Sequence, residues 1–338
     1  MATLSVQNPT LKDWADTRDP SGKTAATVML LSQENGVLDY MVYKEGNLPT
    51  GEQTNILTGL PTSYYRKINS GVPNSKATRA KVIENAAILE SRSEVDADEA
   101  SLEGDLAAYR MEQAKPFVES MSQKMAETTI YGSAANPEEF VGLANRYNSL
   151  SAANAANILS AGGSGSDNTS IWLVGSSQNT VCGIFPKGSK AGLDHQDLGL
   201  GDAFDENNNR FRAYMDLWKW KNGLVVKDWR YVVRIPNIDV SDLIGQTGTQ
   251  ASSASTAIIK LMSRSIDRLP SLGGTKNFFM ANRTVLSNLR VAALDKSNSA
   301  VTIEEGLNQF GQTIHTTKFL GIPVVLVDRI LNTEAAVS

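Results

Sequence analysis

The most constraining feature of the sequence is the stretch 43–78, in which glycine and proline recur and few apolar residues lie between them. An irregular connection of this length is uncommon in a compact domain unless it has a function or is disordered. Both flanks read as strands, residues 38–43 leading out and residues 80–89 returning. The sequence therefore predicts a long projecting hairpin. Such a hairpin has little of its own subunit to pack against, so we expect it to pack on a neighbouring molecule.

A long helix is predicted next, over residues 98–130. An apolar and aromatic stripe recurs there at helical spacing, and charged residues hold much of the remainder. The stripe consists of Leu102, Leu106, Tyr109, Phe117, Met121 and Met125. We interpret it as a face that packs into a core. Pro116 is expected to kink this helix or divide it in two, because proline lacks an N–H and clashes with the preceding turn.

The rest of the chain reads as an N-terminal arm and a β-rich region. The arm covers residues 1–36, with a short helix over 23–33. Strands are predicted over 171–174, 181–185, 211–220 and 224–235. Asn222-Gly223 separates the last two, and this dipeptide is the strongest short hairpin signal.

The C-terminal third alternates short helices and strands. We predict a helix over 258–269, a strand over 278–281, a helix through Ala293 that Asn282 caps, and a closing strand over 322–327. Gly-, Ser-, Ala- and Asn-rich connectors fall at 152–168, and a Gly-, Ser-, Thr- and Gln-rich connector at 245–255.

Composition excludes several classes of protein. The 338 residues carry a formal net charge of -4, whereas proteins that grip nucleic acid usually carry a basic excess. The single cysteine, Cys182, can form neither an intrachain disulfide nor a structural zinc site. No apolar run reaches the eighteen residues of a membrane span, and no signal peptide core is present. These features predict a soluble intracellular chain.

Motifs for nucleotide binding and nucleophilic catalysis are incomplete. Gly22-Lys23-Thr24 resembles the end of a phosphate-binding loop, but Thr17 stands where the first glycine is required. Gly163-Ser164-Gly165 lacks the glycine spacing of a nucleophile elbow. His195 and His315 are the two histidines of the chain, and both are interpreted as surface or hydrogen-bonded residues.

The sequence also gives only weak signals for metal and nucleic-acid sites. Asp194, His195 and Asp197 form a sparse chelating pattern, and the acidic stretch 202–209 lacks the spacing of a calcium loop. Lysines and tryptophans recur between 187 and 229, which we interpret as one packed and one solvated face of the predicted hairpin. We therefore predict no catalytic, cofactor-binding or metal-binding residues, no cofactor, and no enzymatic activity.

Several stretches resemble the major capsid proteins of tailed bacteriophages, which share the Hong Kong 97-type fold. The order of elements is similar over most of the chain. Individual segments also resemble the family in sequence. They are 129–132, 137–143, 168–190, 279–284 and 320–324, of which 168–190 is similar to a podophage-like branch. One departure is that the predicted hairpin of 211–235 precedes the Asn282 helix and the closing strand, which corresponds to a permuted strand order.

The resemblance implies an α+β fold with five regions. These are an N-terminal arm (1–36), an extended loop with flanking strands (37–95), a spine helix (96–135), a β-rich peripheral region (136–250) and an axial region with closing strands (251–338). We expect deletion of residues 46–76 to leave a soluble subunit that cannot form shells.

The function implied is that of a coat protein. Copies would form hexamers and pentamers of an icosahedral shell around double-stranded DNA, assembled in the bacterial host cytoplasm. The implied partners are other copies, a scaffolding protein, a portal and a decoration protein, with no membrane and no sequence-specific DNA binding. Two alternatives stay open: an encapsulin-like compartment that encloses cargo enzymes, and a hydrolase with a poorly marked site.

Overall fold

The computed structural model describes residues 33, 35–102, 106–205, 207–244, 249–294, 301–307 and 313–338. The predicted helix 23–33 lies almost wholly outside these residues. The chain divides into two compact units. Of the described residues, the smaller unit contains Gln33 and those within Ile88–Met125 and Gly192–Trp220, and the larger unit contains those within 35–87, Ala126–Ala191 and Lys221–Ser338.

Seven α-helices occur in the described residues. They are α1 (Val37–Tyr40), α2 (Ala97–Leu102), α3 (Leu106–Tyr131), α4 (Leu143–Arg146), α5 (Val240–Ile244), α6 (Thr249–Ile266) and α7 (Arg283–Leu294), and two short 3-10 turns cover Ala155–Asn157 and Trp229–Tyr231. None of these helices is both long and apolar enough to cross a membrane.

Thirteen strands occur in the same residues. They are β1 (Tyr43–Glu45), β2 (Gly51–Gly59), β3 (Thr78–Asn85), β4 (Ala87–Asp96), β5 (Asn168–Ser176), β6 (Val181–Phe185), β7 (Leu193–Phe204), β8 (Arg210–Val226), β9 (Val232–Asp239), β10 (Lys276–Ala281), β11 (Val301–Leu307), β12 (Thr313–Phe319) and β13 (Ile322–Leu326).

The larger unit is built around β5. This strand pairs antiparallel with β9 and with β10, β10 runs parallel to β13, and β12 and β11 continue the sheet. Strand β6 pairs parallel with β1 and antiparallel with residues 223–226 of β8. Strand β5 lies in the interior of the sheet, and all nine of its residues are buried. Burial on both faces fits the central run Ile171–Val174, in which apolar residues follow one another without alternation.

The main core lies between this sheet and the helices α5, α6 and α7. Ile171, Leu173 and Ile235 from the sheet pack in one cluster with Met262 of α6 and Leu289 of α7. Burying each of these side chains stabilises the fold by about 1.5–3 kcal/mol. The Asn282 side chain accepts a hydrogen bond from the Val285 N–H at 3.0 Å, which confirms the predicted cap of α7.

The smaller unit contains a long β-hairpin, β4 and much of α3. Residues 193–204 of β7 pair antiparallel with residues 210–220 of β8, with a bulge between Asp197 and Gly199. Asp205 closes the turn, since its carboxylate accepts from the backbone N–H groups of Asn207 and Asn209. Strand β7 has no counterpart among the predicted strands, because its polar residues indicate a solvated loop.

The predicted hairpin of 211–235 is wrong. One continuous strand, β8, passes through Asn222-Gly223, and the chain turns later, around Trp229–Tyr231. Gly223 lies opposite Ile184, and a Cβ on it would lie 3.0 Å from the Ile184 side chain and 3.1 Å from the Ala86 backbone. The glycine therefore allows close packing between strands. The predicted hairpin was the observation that suggested a permuted strand order, so that order is no longer indicated.

Other predictions hold with shifted bounds. The predicted strand 38–43 is wrong, since α1 and only the start of β1 lie there, and the predicted strand 80–89 divides between β3 and β4. Helix α3 runs unbroken through Pro116, so the helix is not divided there. The strands predicted over 171–174, 181–185, 278–281 and 322–327 are confirmed, as is the helix over 258–269. The five-region division stays a prediction.

Candidate functional site

The residues tested for chemistry do not come together in the described part of the chain. Gly22-Lys23-Thr24 lies outside it, and Gly163-Ser164-Gly165 forms part of the connector before β5. The backbone of His315 lies in β12 opposite Glu305. No group of three or more histidine, cysteine, aspartate or glutamate side chains in that part is placed to hold a metal ion.

The predicted projecting hairpin is present and consists of β2 and β3. The two strands pair antiparallel from Gly51 opposite Asn85 to Gly59 opposite Thr78. Every residue from 60 to 80 is exposed. The tip includes large apolar side chains, with Leu60 80% and Ile68 91% exposed and Tyr65 fully exposed. Monomeric proteins rarely expose apolar groups together, so this tip is a candidate surface for contact with another molecule.

The hairpin also carries charge of one sign. Between Gln53 and Ile83 the sequence holds no aspartate or glutamate. Its basic residues are Arg66, Lys67, Lys76, Arg79 and Lys81. A net charge of +5 on this segment stands out in a chain whose total is -4.

The root of the hairpin is fixed by a buried carboxylate. Glu52, at the start of β2, forms ion pairs with Lys44 of β1 and with Lys227, the latter at 2.9 Å. Burial alone would raise the pKa of Glu52, but the hydrogen bonds and charges of the two lysines outweigh it and lower that pKa. The carboxylate therefore stays charged and ties β2 to two other segments.

The returning strand, β3, is also anchored by a charged pair. Arg146 donates two hydrogen bonds to the Glu84 carboxylate of β3, at 2.6 and 2.8 Å. A paired geometry of this kind is stronger than a single contact. Gly51 has φ +152° and packs so closely that a Cβ would lie 2.0 Å from the Glu84 carbonyl oxygen. The hairpin thus has a rigid root and a tip whose side chains are exposed.

A second cluster lies in the smaller unit. Arg110 of α3 pairs with Asp197 at 2.7 Å and with the buried Asp216 at 2.9 Å. The His195 ring lies 2.8 Å from the Asp216 carboxylate and stacks on Trp218, with the ring centroids 4.1 Å apart. The hydrogen bonds and charge of Arg110 keep the pKa of Asp197 below its ordinary value.

These residues line an open cavity of about 250 Å³, which Ala107 and Met111 complete. The Trp218 indole N–H is buried and has no acceptor among the described residues. Both carboxylates are held by Arg110, so the cluster offers neither a free general base nor a vacant chelating pair. Residues 194–197 lie in strand β7, and the prediction of a solvated stretch holds, since His195 is an exposed, hydrogen-bonded histidine.

A buried ion pair holds the C-terminal segment. The Arg234 guanidinium donates to the Glu334 carboxylate at 2.9 Å, and both side chains are 5% exposed. Tyr131 and Ser170 also donate to this carboxylate. Arg234 lies over the Trp172 ring, 4.9 Å from its centroid. Each polar group of the pair has a partner, as a buried pair requires.

The sequence did not indicate the residues that fix the hairpin root. Glu52, Lys227 and Arg146 are far apart along the chain, and no local motif joins them. The absence of acidic residues between Gln53 and Ile83 was the available signal for the tip. Two of the lysines between 187 and 229 are held in ion pairs, because Lys219 pairs with Glu90 at 2.5 Å and Lys227 with Glu52.

Comparison with known proteins identifies the family to which this chain belongs. The family model for major capsid protein GP7 matches residues 19–338. This chain belongs to the GP7 major capsid protein family. A protein chain in the solved structure of bacteriophage Epsilon15 is 30% identical in sequence to this chain, with a TM-score of 0.73. The match covers 100% of this chain and 99% of that one. The Hong Kong 97-type fold inferred from the sequence is thereby confirmed.

More distant structures match at lower similarity. The bacteriophage JBD30 capsid is 9% identical with a TM-score of 0.47, covering 96% of this chain and 99% of that one. The holo-SrpI encapsulin of Synechococcus elongatus is 10% identical with a TM-score of 0.45, covering 72% of this chain and 99% of that one. No curated protein matches the sequence. The capsid protein is a phage coat protein with a structural role, and its copies associate to form the shell of the virion.

Proposed function

We propose that the capsid protein assembles as hexamers and pentamers into an icosahedral shell around the double-stranded DNA of a tailed phage. The observation that supports this most directly is the hairpin, whose 22 consecutive exposed residues, 60–81, include large apolar side chains. A shell built from many copies of one contact is strong even where each contact is weak. Assembly takes place in the host cytoplasm.

We extend the proposal to the other partners. A scaffolding protein guides closure, a portal occupies one vertex, and a decoration protein can bind the outer surface. The packaged DNA is enclosed without being gripped, which fits a net charge of -4. The subunit carries out no catalysis.

Electron microscopy of the purified chain tests the proposal. We expect uniform shells or capsomer rings when the chain is expressed alone or with its scaffolding protein. Shells that contain DNA support a phage capsid, whereas shells that contain protein cargo support an encapsulin-like compartment. Small discrete particles under both conditions contradict the proposal.

The hairpin tip can be tested separately from its root. The predicted deletion of residues 46–76 would remove Glu52 and with it the anchor of β2. A sharper variant replaces residues 60–77 with Asn-Gly, because Gly59 and Thr78 are paired and a two-residue turn can join them. We expect this variant to fold with unchanged stability and to form no closed shells. Normal shells from it would contradict the role of the tip.

A further inference from the structure

The turn between β12 and β13 contains a leucine in a backbone conformation that leucine rarely adopts. Phe319 lies opposite Ile322, so Leu320 and Gly321 form a two-residue loop. Both loop residues have positive φ, +47° at Leu320 and +81° at Gly321. Two-residue hairpin loops with positive φ at both positions are of type I′, and they strongly favour the pair Asn-Gly. Gly321 meets this preference, whereas Leu320 does not.

The other residues with this conformation show that the chain otherwise follows the preference. Among the described residues other than glycine, positive φ occurs at Leu320, Asn69, Asn208 and Asn237. Asparagine tolerates the left-handed region, whereas a bulky side chain there is an outlier that costs free energy. The leucine at position 320 is therefore unfavourable for the folding of its own turn.

The Leu320 side chain does not offset this cost by full burial in its own subunit. It is 56% exposed, although the preceding residue, Phe319, is completely buried and packs edge-on against Phe279. There is open space beside the turn, since a Cβ on Gly321 would meet no atom of the described residues within 4 Å. A side chain that is apolar, exposed and held in a strained conformation is expected where it makes a contact outside the subunit.

We propose that Leu320 is an assembly contact, whose exposed side chain becomes buried against a second copy of this chain in the shell. A second copy is the partner that the family indicates, because copies of a coat protein associate to form the shell. A strained leucine kept for this contact lowers the stability of the free subunit and raises the stability of the assembly. The inference rests on the proposed function, since it names one residue that holds the shell together.

Leu320→Asn separates the two effects, because they predict changes of opposite sign. The substitution places the preferred asparagine before Gly321 and removes the apolar side chain. We expect the melting temperature of the subunit to rise by about 1–3 °C as the strain is relieved. We expect the yield of shells, measured by sedimentation and electron microscopy, to fall about tenfold or more. An unchanged yield would overturn the inference, and so would a lower melting temperature, which would show that Leu320 stabilises its own subunit.

Two further variants show which property of the side chain matters. Leu320→Met keeps an apolar side chain of similar volume and keeps the strain, so it is expected to retain most of the shell yield. Asn208→Leu makes the reciprocal change in the exposed turn between β7 and β8, and is expected to lower the melting temperature of the subunit. A loss of shells as large with Leu320→Met as with Leu320→Asn would contradict an apolar contact and overturn the inference.

Thiol labelling measures the burial of position 320 directly. Leu320→Cys subunits are mixed at a low ratio with wild-type subunits so that shells form, and free subunits and shells are then treated with a maleimide. The wild type is the control, because its single cysteine, Cys182, is buried. We expect labelling of Leu320→Cys to be slower in shells than in free subunits by about tenfold or more, as mass spectrometry measures. Equal labelling rates would overturn the inference.

The outcomes also separate this inference from the proposed function. Shells that form normally with Leu320→Asn overturn the contact and leave the coat function intact. A wild-type chain that forms no shells contradicts the proposed assembly. The inference then predicts that wild-type subunits associate more strongly in concentrated solution than Leu320→Asn subunits, as sedimentation velocity measures. Equal association of the two would overturn it.

Discussion

Buried charges in this capsid protein are paired across long distances in sequence. Glu52 is held by Lys44 and Lys227, and Arg234 meets Glu334 one hundred residues later. A buried charge that keeps its partners costs little, but the same charge left alone costs several kcal/mol. Substitutions that remove one partner therefore have larger effects than substitutions that remove both.

The first prediction concerns pH and Glu52. Since its lysine partners lower the pKa of Glu52 in the folded chain, the carboxylate adds stability above the unfolded value of about 4.3. That contribution is lost as the pH falls through the lower folded value. We expect the free energy of unfolding of the wild type to exceed that of Glu52→Gln at pH 7, with the difference shrinking towards pH 3. Urea unfolding at both pH values measures it, and a difference independent of pH would contradict it.

The second prediction concerns the buried ion pair. Glu334→Gln leaves Arg234 without its counter-charge and is expected to lower the free energy of unfolding by about 3–5 kcal/mol. Arg234→Met combined with Glu334→Leu should recover most of that loss. The exposed pair Arg212–Asp202 is the control, and Asp202→Asn is expected to cost at most about 1 kcal/mol. Denaturant unfolding of the wild type and the three variants measures these differences. A double variant as unstable as Glu334→Gln would be the contrary result.

At the level of elements, the hairpin combines a strained root with an unconstrained tip. Gly51 has a positive φ and lies against the backbone of β3, whereas a Cβ on Gly71 would meet no atom within 4 Å. The two glycines thus occupy opposite environments in one element. A side chain can be accommodated at the second position and not at the first.

The third prediction uses these two glycines. Gly51→Ala is expected to destabilise the chain by at least about 1–3 kcal/mol, since both the φ value and the contact with Glu84 must change. Gly71→Ala is the matched control and is expected to leave the melting temperature of the subunit unchanged. Differential scanning calorimetry of both variants provides the measurement. Equal melting temperatures would show that the root tolerates a shift of the backbone.

Elements with strong local signals could be predicted from the sequence. The apolar run of β5, the Asn282 cap of α7 and the Gly/Pro-rich tip were all found in this way. Strand β7 was missed because its stability comes from pairing with β8, which lies in a different part of the sequence. Asn222-Gly223 was misread for the same reason, since packing against Ile184 decides that position and not turn propensity.

The hairpin tip and the cavity beside His195 and Trp218 also differ in whether the sequence predicts them. The tip was predictable because its exposure follows from composition. The His195–Trp218 cavity was not, because it is formed by residues of α3, β7 and β8 that only the fold brings together. His195 is a surface residue, as predicted, but its stacking on Trp218 has no local sequence signal.

For the whole molecule, charge is distributed unevenly. The hairpin segment carries +5 within a nearly neutral chain, and the described part of the smaller unit carries -5, from twelve aspartates and glutamates against seven lysines and arginines. Attraction between oppositely charged surfaces of different copies weakens as salt screens the charges. Apolar contacts do not weaken in this way. The salt dependence of assembly therefore reports which of the two dominates.

The fourth prediction follows from this distribution. We expect the rate of shell formation, followed by light scattering, to fall by about tenfold or more as NaCl rises from roughly 50 mM to roughly 500 mM. The Arg66→Glu, Lys67→Glu variant should show a flat or opposite dependence. A wild-type rate that rises with salt would indicate that apolar burial controls association.

The exposure of residues 60–80 has a genetic consequence. The side chains there are exposed and their hydrogen bonds stay within the hairpin, so selection for folded, protease-resistant protein detects substitutions there poorly. Mutants that accumulate soluble subunits with normal melting curves yet yield no plaques should map to this segment and to whatever surface receives it. Second-site suppressors of such mutants would then identify the receiving surface without any structure of the assembled particle.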